Sequence, residues 1–171
     1  MEAILREAQR VALYKTEFPM KTLILPIIVA AGALFPVTAL KAETFGGFEP
    51  GKKFTLTVTE RTSTKTKGDN VTKNAPIPNG IPNFAVGQKV RFRIGDNGNL
   101  VGGEFNIAFR REEGDIVIYS NNPTFRKPRG DAGTVTKNSN GRPVEATLTF
   151  YRFRFSGFIP ITNTVNYVFE R

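Results

Sequence analysis

Residues 89–98 read KVRFRIGDNG, and this stretch decides the fold class. Apolar and cationic side chains alternate over its first six residues, which is the period-two pattern of a half-buried β-strand. The following Gly-Asp-Asn-Gly supplies residues that tolerate the positive φ angles of a tight hairpin turn. The stretch therefore predicts an antiparallel hairpin whose return strand begins near Leu100.

The same alternation recurs on both sides of this hairpin. In residues 53–60, apolar side chains share one face and threonines share the other, which suits a pleated strand with one buried side. No window after Phe45 sustains helical periodicity. Further strand segments are predicted at about 105–109, 115–120, 132–137, 144–155 and 161–170.

Two polar segments interrupt this pattern. Residues 61–83 are rich in Thr, Lys, Asn, Gly and Pro, and residues 121–130 combine one phenylalanine with three cations. Both are interpreted as loops. Because connecting segments of this length often carry function, both are candidate binding segments.

Glycines and a phase change predict irregular backbone at two places. Gly102-Gly103 indicates a bulge or a sharp bend. In the strand from Val144, apolar residues occupy even positions up to Phe150 and odd positions afterwards. A bulge near Phe150 would keep both sets on the core side, and passage of the strand into a second sheet is the alternative. Either device predicts a curved sheet.

These features predict an all-β fold, a single small antiparallel β-barrel or β-sandwich of about seven to eight strands, with the meander barrel preferred. The lack of helical crossovers excludes parallel βαβ folds. The last strand is expected to close the sheet against an early strand.

An apolar segment near the N-terminus predicts export. Met20-Lys21 precedes an apolar run, as in a Sec-type signal peptide, and small residues follow it. The predicted signal peptide spans residues 20–39 or 20–42, with cleavage after Ala39 or Ala42. The organisation is then a leader at 1–42 and an all-β domain at 43–171 that is secreted or lies in the periplasm or cell envelope.

Two further hypotheses concern this leader. Residues 23–40 approach the roughly 20 apolar residues that span a bilayer, so an uncleaved anchor is the alternative to a cleaved signal. Either interpretation places the following domain on the non-cytoplasmic side. Residues 1–19 make an overlong start, and Met20 is a natural initiator, so Met1 is hypothesised to be a mis-assigned start.

Composition argues against the common catalytic classes. The chain has no Cys and no His, which removes disulfides, thiolate metal sites, the usual partner of a nucleophilic serine and the commonest zinc ligand. Glu112, Glu113 and Asp115 are interpreted as a solvated turn rather than as paired catalytic carboxylates. No cofactor, metal site or catalytic residue is predicted, and the chain is not expected to be an enzyme.

The charge balance favours an anionic partner. Lys and Arg number 24 against 15 Asp and Glu, and residues 43–171 alone hold 19 cations and 12 anions, a net charge of +7. Cations also alternate with aromatic residues, although strand alternation by itself places Phe inside and Arg outside. The candidate contact residues for a ligand or polyanion are Arg91, Arg93, Phe125, Arg126, Lys127, Arg129, Arg152 and Arg154.

The leading hypothesis is a non-enzymatic secreted or envelope-associated β domain, a binding or structural module with a basic surface. Its expected partner is an anionic surface, a polysaccharide or a protein. Export argues against nucleic acid, and membrane contact is expected only through an uncleaved leader. The alternative is a lipocalin-like carrier of a small hydrophobic ligand, because 15 Phe residues can line a cavity as well as fill a core. A hydrolase of unfamiliar type is the third class.

Overall fold

The structure is a computed structural model, and it describes residues 43–171. The predicted leader, its alternative as an anchor, both cleavage positions and the hypothesised start at Met20 lie outside these residues. All ten strands and the buried core belong to one compact unit, Leu40–Arg171.

The described residues form antiparallel β-strands and contain no helix, which confirms the all-β prediction. Ten strands are present, and the first of them is far longer than the sequence pattern predicts. Their bounds are β1 (Lys53–Lys67), β2 (Asn70–Lys73), β3 (Lys89–Ile94), β4 (Leu100–Val101), β5 (Asn106–Ile107), β6 (Phe109–Glu113), β7 (Ile116–Ser120), β8 (Ala132–Lys137), β9 (Pro143–Ser156) and β10 (Ile159–Glu170).

The strands form one nearly closed, barrel-shaped sheet. Their order is β5-β4-β3-β1-β10-β9-β8-β7-β6, and β2 pairs with β1 outside this path. The last strand lies against the first, as predicted. The two ends of the order belong to one continuous segment, since only Ala108 separates β5 from β6. The meander barrel is therefore confirmed over the sandwich.

The barrel centre is filled by inward side chains from the predicted apolar faces. Phe92 is fully buried, and its ring centroid lies 5.1 Å from those of both Phe54 and Phe169. Burying one such ring contributes about 1.5–3 kcal/mol. The predicted inward sets of the early, central and last strands are buried, with Phe54 partly exposed. Their members are Phe54, Leu56, Val58, Val90, Phe92, Ile94, Val165, Tyr167 and Phe169.

The prediction of a single loop over residues 61–83 is wrong. These residues contain the second half of β1 and all of β2, and the connecting segment begins only at Asn74. Apolar alternation gives no sign of a strand here because neither face is apolar. Polar residues alternate with threonines, and the inner face of this part of the sheet is hydrophilic.

The predicted bulge near Phe150 is absent, and β9 does not pass into a second sheet. β9 and β10 pair without a register shift from Ser156 to Glu145. The shift lies instead in β1, between Val58 and Glu60. The inner face of β9 therefore changes from apolar to cationic after Phe150, and the later aromatic residues lie on the outer face.

Two smaller predictions are confirmed. Gly102-Gly103 forms a sharp bend that lets β5 return alongside β4, with Leu100 paired to Ile107. Residues 121–130 form a polar loop between β7 and β8. This loop runs beside the far half of β9, where the backbone N–H of Phe153 donates to the carbonyl of Arg126 at 2.8 Å.

Candidate cationic site at one end of the barrel

The sheet narrows to four strands at one end of the barrel. β3 pairs with β1 only as far as Thr57, and β8 pairs with β9 only as far as Thr149. Beyond these points the strand order is β2-β1-β10-β9. We call this part of the sheet the four-stranded extension.

Two rows of paired residues cross the inner face of the extension. Directly paired residues point to the same side of a sheet, and positions two apart share that side. The first row is Thr72, Lys65, Asn163 and Arg152, and the second is Asn70, Lys67, Ile161 and Arg154. Neither row contains Asp or Glu. We call Lys65, Lys67, Arg152 and Arg154 the cationic face.

The loop that follows β2 crosses this inner face and is fixed on both sides. Ser63 Oγ in β1 donates a hydrogen bond to the carbonyl of Ala75 at 2.6 Å. On the other side, Arg152 Nη2 in β9 donates to the carbonyl of Gly80. The loop therefore spans β10 and covers the mouth of the barrel.

A buried anchor holds the end of the same loop. The Tyr167 hydroxyl donates to the carbonyl of Pro82 at 2.5 Å and accepts from the Phe84 N–H at 3.4 Å. The ring of Phe84 meets that of Tyr167 edge to face at 5.2 Å. Burial raises the pKa of Tyr167, the Phe84 hydrogen bond and Arg61 lower it, and Glu104 raises it.

Two clefts flank the crossing loop. One, of about 460 Å³, is lined on the β1 side by Arg61 and Ser63 together with loop residues. The other, of about 390 Å³, is lined by Ile77, Pro78, Asn79, Arg152, Phe153, Arg154 and Asn163. Asn163 is only 6% exposed. The second cleft thus brings two members of the cationic face to the buried side chain of Asn163.

Arg152 is engaged in a buried ion pair at the base of this cleft. Asp131 Oδ1 accepts from Arg152 Nη1 at 2.5 Å, and Asp131 Oδ2 accepts from Lys127 Nζ at 2.7 Å. The Asp131 side chain is 6% exposed. Two of the predicted contact residues, Arg152 and Lys127, are therefore held by a carboxylate that the sequence pattern did not single out.

The remaining cations of this face have no such partner. Within residues 43–171, Lys65, Lys67 and Arg154 form no salt bridge. Lys67 and Arg154 are exposed and Lys65 is half-buried. These three side chains are available to an external anion.

Two predicted residues of loop 121–130, Phe125 and Arg129, lie beside aromatic rings on the outer face of β9. The Phe125 ring lies 6.2 Å from that of Phe153 and 6.5 Å from that of Phe155. The guanidinium of Arg129 lies 5.3 Å from the Tyr151 ring centroid, within the range of a cation–π interaction. Arg126 is exposed.

Arg91 and Arg93 lie apart from all of these residues. They are exposed on the outer face of β3, where Arg91 pairs with Thr55 and Arg93 with Lys53. Ten positions along β1 separate Thr55 from Lys65, a distance of about 33 Å along the strand. The structure therefore divides the eight predicted contact residues among three surfaces.

Sequence reasoning missed Lys65, Lys67, Asn163 and Asp131. A signal for the two lysines is present, because threonines at positions 62, 64 and 66 alternate with Arg, Ser and Lys, and β-branched residues at every second position suit a strand. Asn163 lies directly opposite Lys65 in the pairing of β1 with β10, so its position on the inner face follows once β1 is extended. Nothing in the sequence indicates the pairing of Asp131 with Arg152, since it depends on the register in which β8 pairs with β9.

The acidic turn residues make structural contacts. Glu112 pairs with Lys137, whose ammonium also donates to the carbonyl of Gly46 at 2.8 Å, and Glu113 lies 2.5 Å from Arg111. In the part of the chain that the structure describes, no group of three or more Asp, Glu, His or Cys side chains is placed to hold a metal ion.

Comparisons with known proteins give no relative from which to transfer a role. No protein family, curated protein or solved structure matches this chain. Over residues 43–171, no helix is long and apolar enough to cross a membrane. The chemistry of the site itself therefore carries the functional proposal.

Proposed function

We propose that this chain is a non-enzymatic, secreted or envelope-associated binding module that binds polyanions through the cationic face. The observation that carries the proposal is the placement of Lys65, Lys67 and Arg154. They share the inner face of the four-stranded extension, and their two rows contain no acidic residue. Solvent-accessible cations without internal partners favour an anionic ligand.

The spacing of these cations suits a ligand that carries several charges. Lys65 and Lys67 are two positions apart on β1, which corresponds to about 7 Å, and Arg154 lies two strands away from Lys67, which corresponds to about 10 Å. Successive sulfate or phosphate groups of a polymer or a lipid surface can contact such a set together. Charge-assisted hydrogen bonds from Arg and Lys to these oxyanions are short and strong.

The predicted leader supports the location of this activity. A signal peptide at residues 20–39 or 20–42 would deliver the domain outside the cytoplasm, where sulfated or phosphorylated polysaccharides and lipid head groups are the abundant polyanions. Nucleic acid is not the expected partner in that compartment.

Binding to heparin, used as a model polyanion, tests the proposal. The Lys65→Ala/Arg154→Ala double variant of the full chain is compared with Arg91→Ala/Arg93→Ala, which removes the same charge from the outer face of β3. We expect the first variant to lower the slope of log K against log salt by about two, since two oxyanion contacts are lost. The second variant should leave the slope unchanged.

Two outcomes would overturn the proposal. Equal losses in both variants would mean that net charge alone governs binding, and a larger loss in Arg91→Ala/Arg93→Ala would assign binding to the outer face of β3. Circular dichroism of each variant establishes that the sheet is intact before binding is compared.

The carrier alternative requires a hollow barrel, and the described core favours a filled one. The rings of Phe84 and Phe105 lie 6.3 Å apart, and the ring of Phe92 lies 5.9 Å from that of Phe105. Together with Phe169 they occupy the barrel centre. Saturable binding of an apolar fluorescent probe with displacement by a fatty acid would favour the carrier instead.

A further inference from the structure

The β9–β10 hairpin ends in an exposed apolar tip. β9 ends at Ser156 and β10 begins at Ile159, so that Gly157 and Phe158 form the turn. Phe158 is 100% exposed and Ile159 is 45% exposed. Gly157, with φ of 61°, supplies the positive φ that a two-residue hairpin turn needs at this position. The turn itself therefore gives no reason for a phenylalanine at its apex.

Exposed apolar side chains also lie at the outer face of β9, beginning at Phe155, three residues before Phe158 in the chain. Phe155 is 52% exposed and Phe125 is 77% exposed, and their rings lie 6.5 Å apart. Single exposed apolar residues are ordinary on protein surfaces, but contiguous ones indicate an interaction site. Ile159, two positions from the inward Ile161, lies on the inner face of the hairpin, so the exposed apolar side chains lie on both sides of its turn. We call Phe125, Phe155, Phe158 and Ile159 the aromatic tip.

Cations border this tip. Lys67 and Arg154 flank Ile161, two positions along β10 from Ile159, and Arg126 follows Phe125 in the chain. An acidic side chain, Asp69, lies on the neighbouring β1–β2 turn. The N–H of Gly68 in this turn donates to the carbonyl of Pro160 in β10 at 3.2 Å, which places the turn beside the tip. Exposed aromatic residues next to Lys and Arg are the combination that binds the interface of an anionic bilayer.

We infer that the aromatic tip inserts into the interfacial region of an anionic lipid bilayer while the cationic face contacts the lipid phosphates. This inference rests on the proposed function and names the polyanion. It also adds a contact with the membrane that does not depend on the leader. Phe158 enters the headgroup region, where aromatic rings are favoured.

The charge of the domain distinguishes the bilayer from other occupants of the tip. A soluble polysaccharide offers sulfate or phosphate groups but no hydrocarbon layer for Phe158 and Phe155. A second copy of the domain would bring a net charge of +7 against the same charge, which opposes association. An anionic bilayer supplies both the apolar layer and the opposite charge.

A single tryptophan provides the test, because the chain has no Trp. Phe158→Trp is made in the unit Leu40–Arg171, which contains all ten described strands and the described core and lacks the apolar run of the leader. Val86→Trp is the matched control, since Val86 is 62% exposed and follows the loop far from the tip. Fluorescence is recorded with phosphatidylcholine vesicles that contain or lack phosphatidylglycerol.

The expected result is a blue shift and protection from aqueous quenchers for Phe158→Trp with phosphatidylglycerol vesicles only, and no shift for Val86→Trp. In a sedimentation assay, Phe158→Ser should weaken partitioning by about tenfold, the effect of no longer burying one ring. Its affinity for heparin should equal that of the wild type.

Several results would overturn the inference. They are an unshifted Trp at position 158, equal binding to neutral vesicles, unchanged partitioning of Phe158→Ser, and a concentration-dependent dimer that Phe158→Ser abolishes. If heparin binding through the cationic face persists in these cases, the proposed function stands and only the bilayer is excluded. If Lys65→Ala/Arg154→Ala binds heparin as the wild type does, the proposed function fails as well.

Discussion

Asp131 Oδ1 and Arg152 Nη1 lie 2.5 Å apart at the point on β9 where the apolar inner face becomes cationic. The same carboxylate accepts from Lys127 Nζ at 2.7 Å and from the N–H of Tyr151 at 3.3 Å. Because Arg152 also donates to the carbonyl of Gly80, this cluster joins loop 121–130, β9 and the loop that covers the barrel mouth. The cluster therefore holds the cationic face on the inner side of β9 and loop 121–130 beside it in fixed positions.

The first prediction concerns this ion pair. Asp131→Asn leaves the guanidinium of Arg152 without its counter-charge in a largely buried place, so we expect the free energy of unfolding to fall by about 3 kcal/mol. Urea unfolding followed by circular dichroism measures the change.

The control for this prediction is Glu113→Gln. The Glu113–Arg111 pair is equally short at 2.5 Å, but its side chains are 55% and 65% exposed. An exposed pair contributes less than about 1 kcal/mol. A loss for Asp131→Asn no larger than that for Glu113→Gln would contradict the structural role of the cluster.

The second prediction compares two buried tyrosines. The Tyr119 hydroxyl has no hydrogen-bond partner within residues 43–171, whereas the Tyr167 hydroxyl donates to Pro82 at 2.5 Å. Tyr119→Phe removes an unsatisfied polar group and should leave stability unchanged or raise it by about 1 kcal/mol, and Tyr167→Phe should lower it by about 1 kcal/mol. Thermal and urea unfolding of both variants check the signs, and equal losses would count against the assigned hydrogen bonding.

The third prediction is a loss of stability in alkali. Burial raises the pKa of Tyr119 and of Tyr167 above the ordinary value of 10.0. Above that pH the unfolded chain releases protons that the folded chain retains, so the stabilisation is complete below pH 10.0 and is lost as the pH rises further. Urea midpoints between about pH 9 and pH 11 should fall, and less steeply in Tyr119→Phe. The same slope in both proteins would contradict the prediction.

The fourth prediction concerns a close approach within the barrel wall. A Cβ atom at Gly133 in β8 would lie 2.6 Å from Leu148 Cδ2 and 2.9 Å from the carbonyl oxygen of Thr147. Gly133→Ala should therefore lower the free energy of unfolding by about 1–3 kcal/mol through overpacking. Gly103→Ala is the control, because a Cβ there meets no atom within 4 Å. Equal stability of the two variants would show that β8 and β9 have more room than described.

The apolar parts of the barrel could be predicted because one rule governs them. In β3 and the last part of β10, each second residue is buried and apolar. This pattern alone predicts that the segment is a strand and which of its side chains face the core. The same rule fails where the inner face is open to solvent. Lys65 points inward with no apolar alternation to reveal it, so the second half of β1 is not predicted, and in the second half of β9 the apolar residues lie outside while Arg154 points inward.

The candidate site was only partly predictable for a related reason. Arg154 was identified as a cation near aromatic residues, but its neighbours Lys67 and Lys65 are 87 or more positions away in sequence. Pairing through β10 brings them onto one face. The phase change of β9 predicts a core-directed bulge or passage into a second sheet, because apolar residues are expected to face the core. The hydrophilic inner face and the apolar outer tip break that rule.

Backbone NMR of the ¹⁵N-labelled unit Leu40–Arg171, titrated with a heparin oligosaccharide, locates polyanion binding directly. The account predicts that the largest amide shift changes cluster at Lys65, Lys67, Arg154 and Asn163 and diminish with added salt. Changes confined to Arg91 and Arg93 on the outer face of β3 and to Lys53 on the adjacent strand β1, or spread evenly over all basic residues, would contradict it.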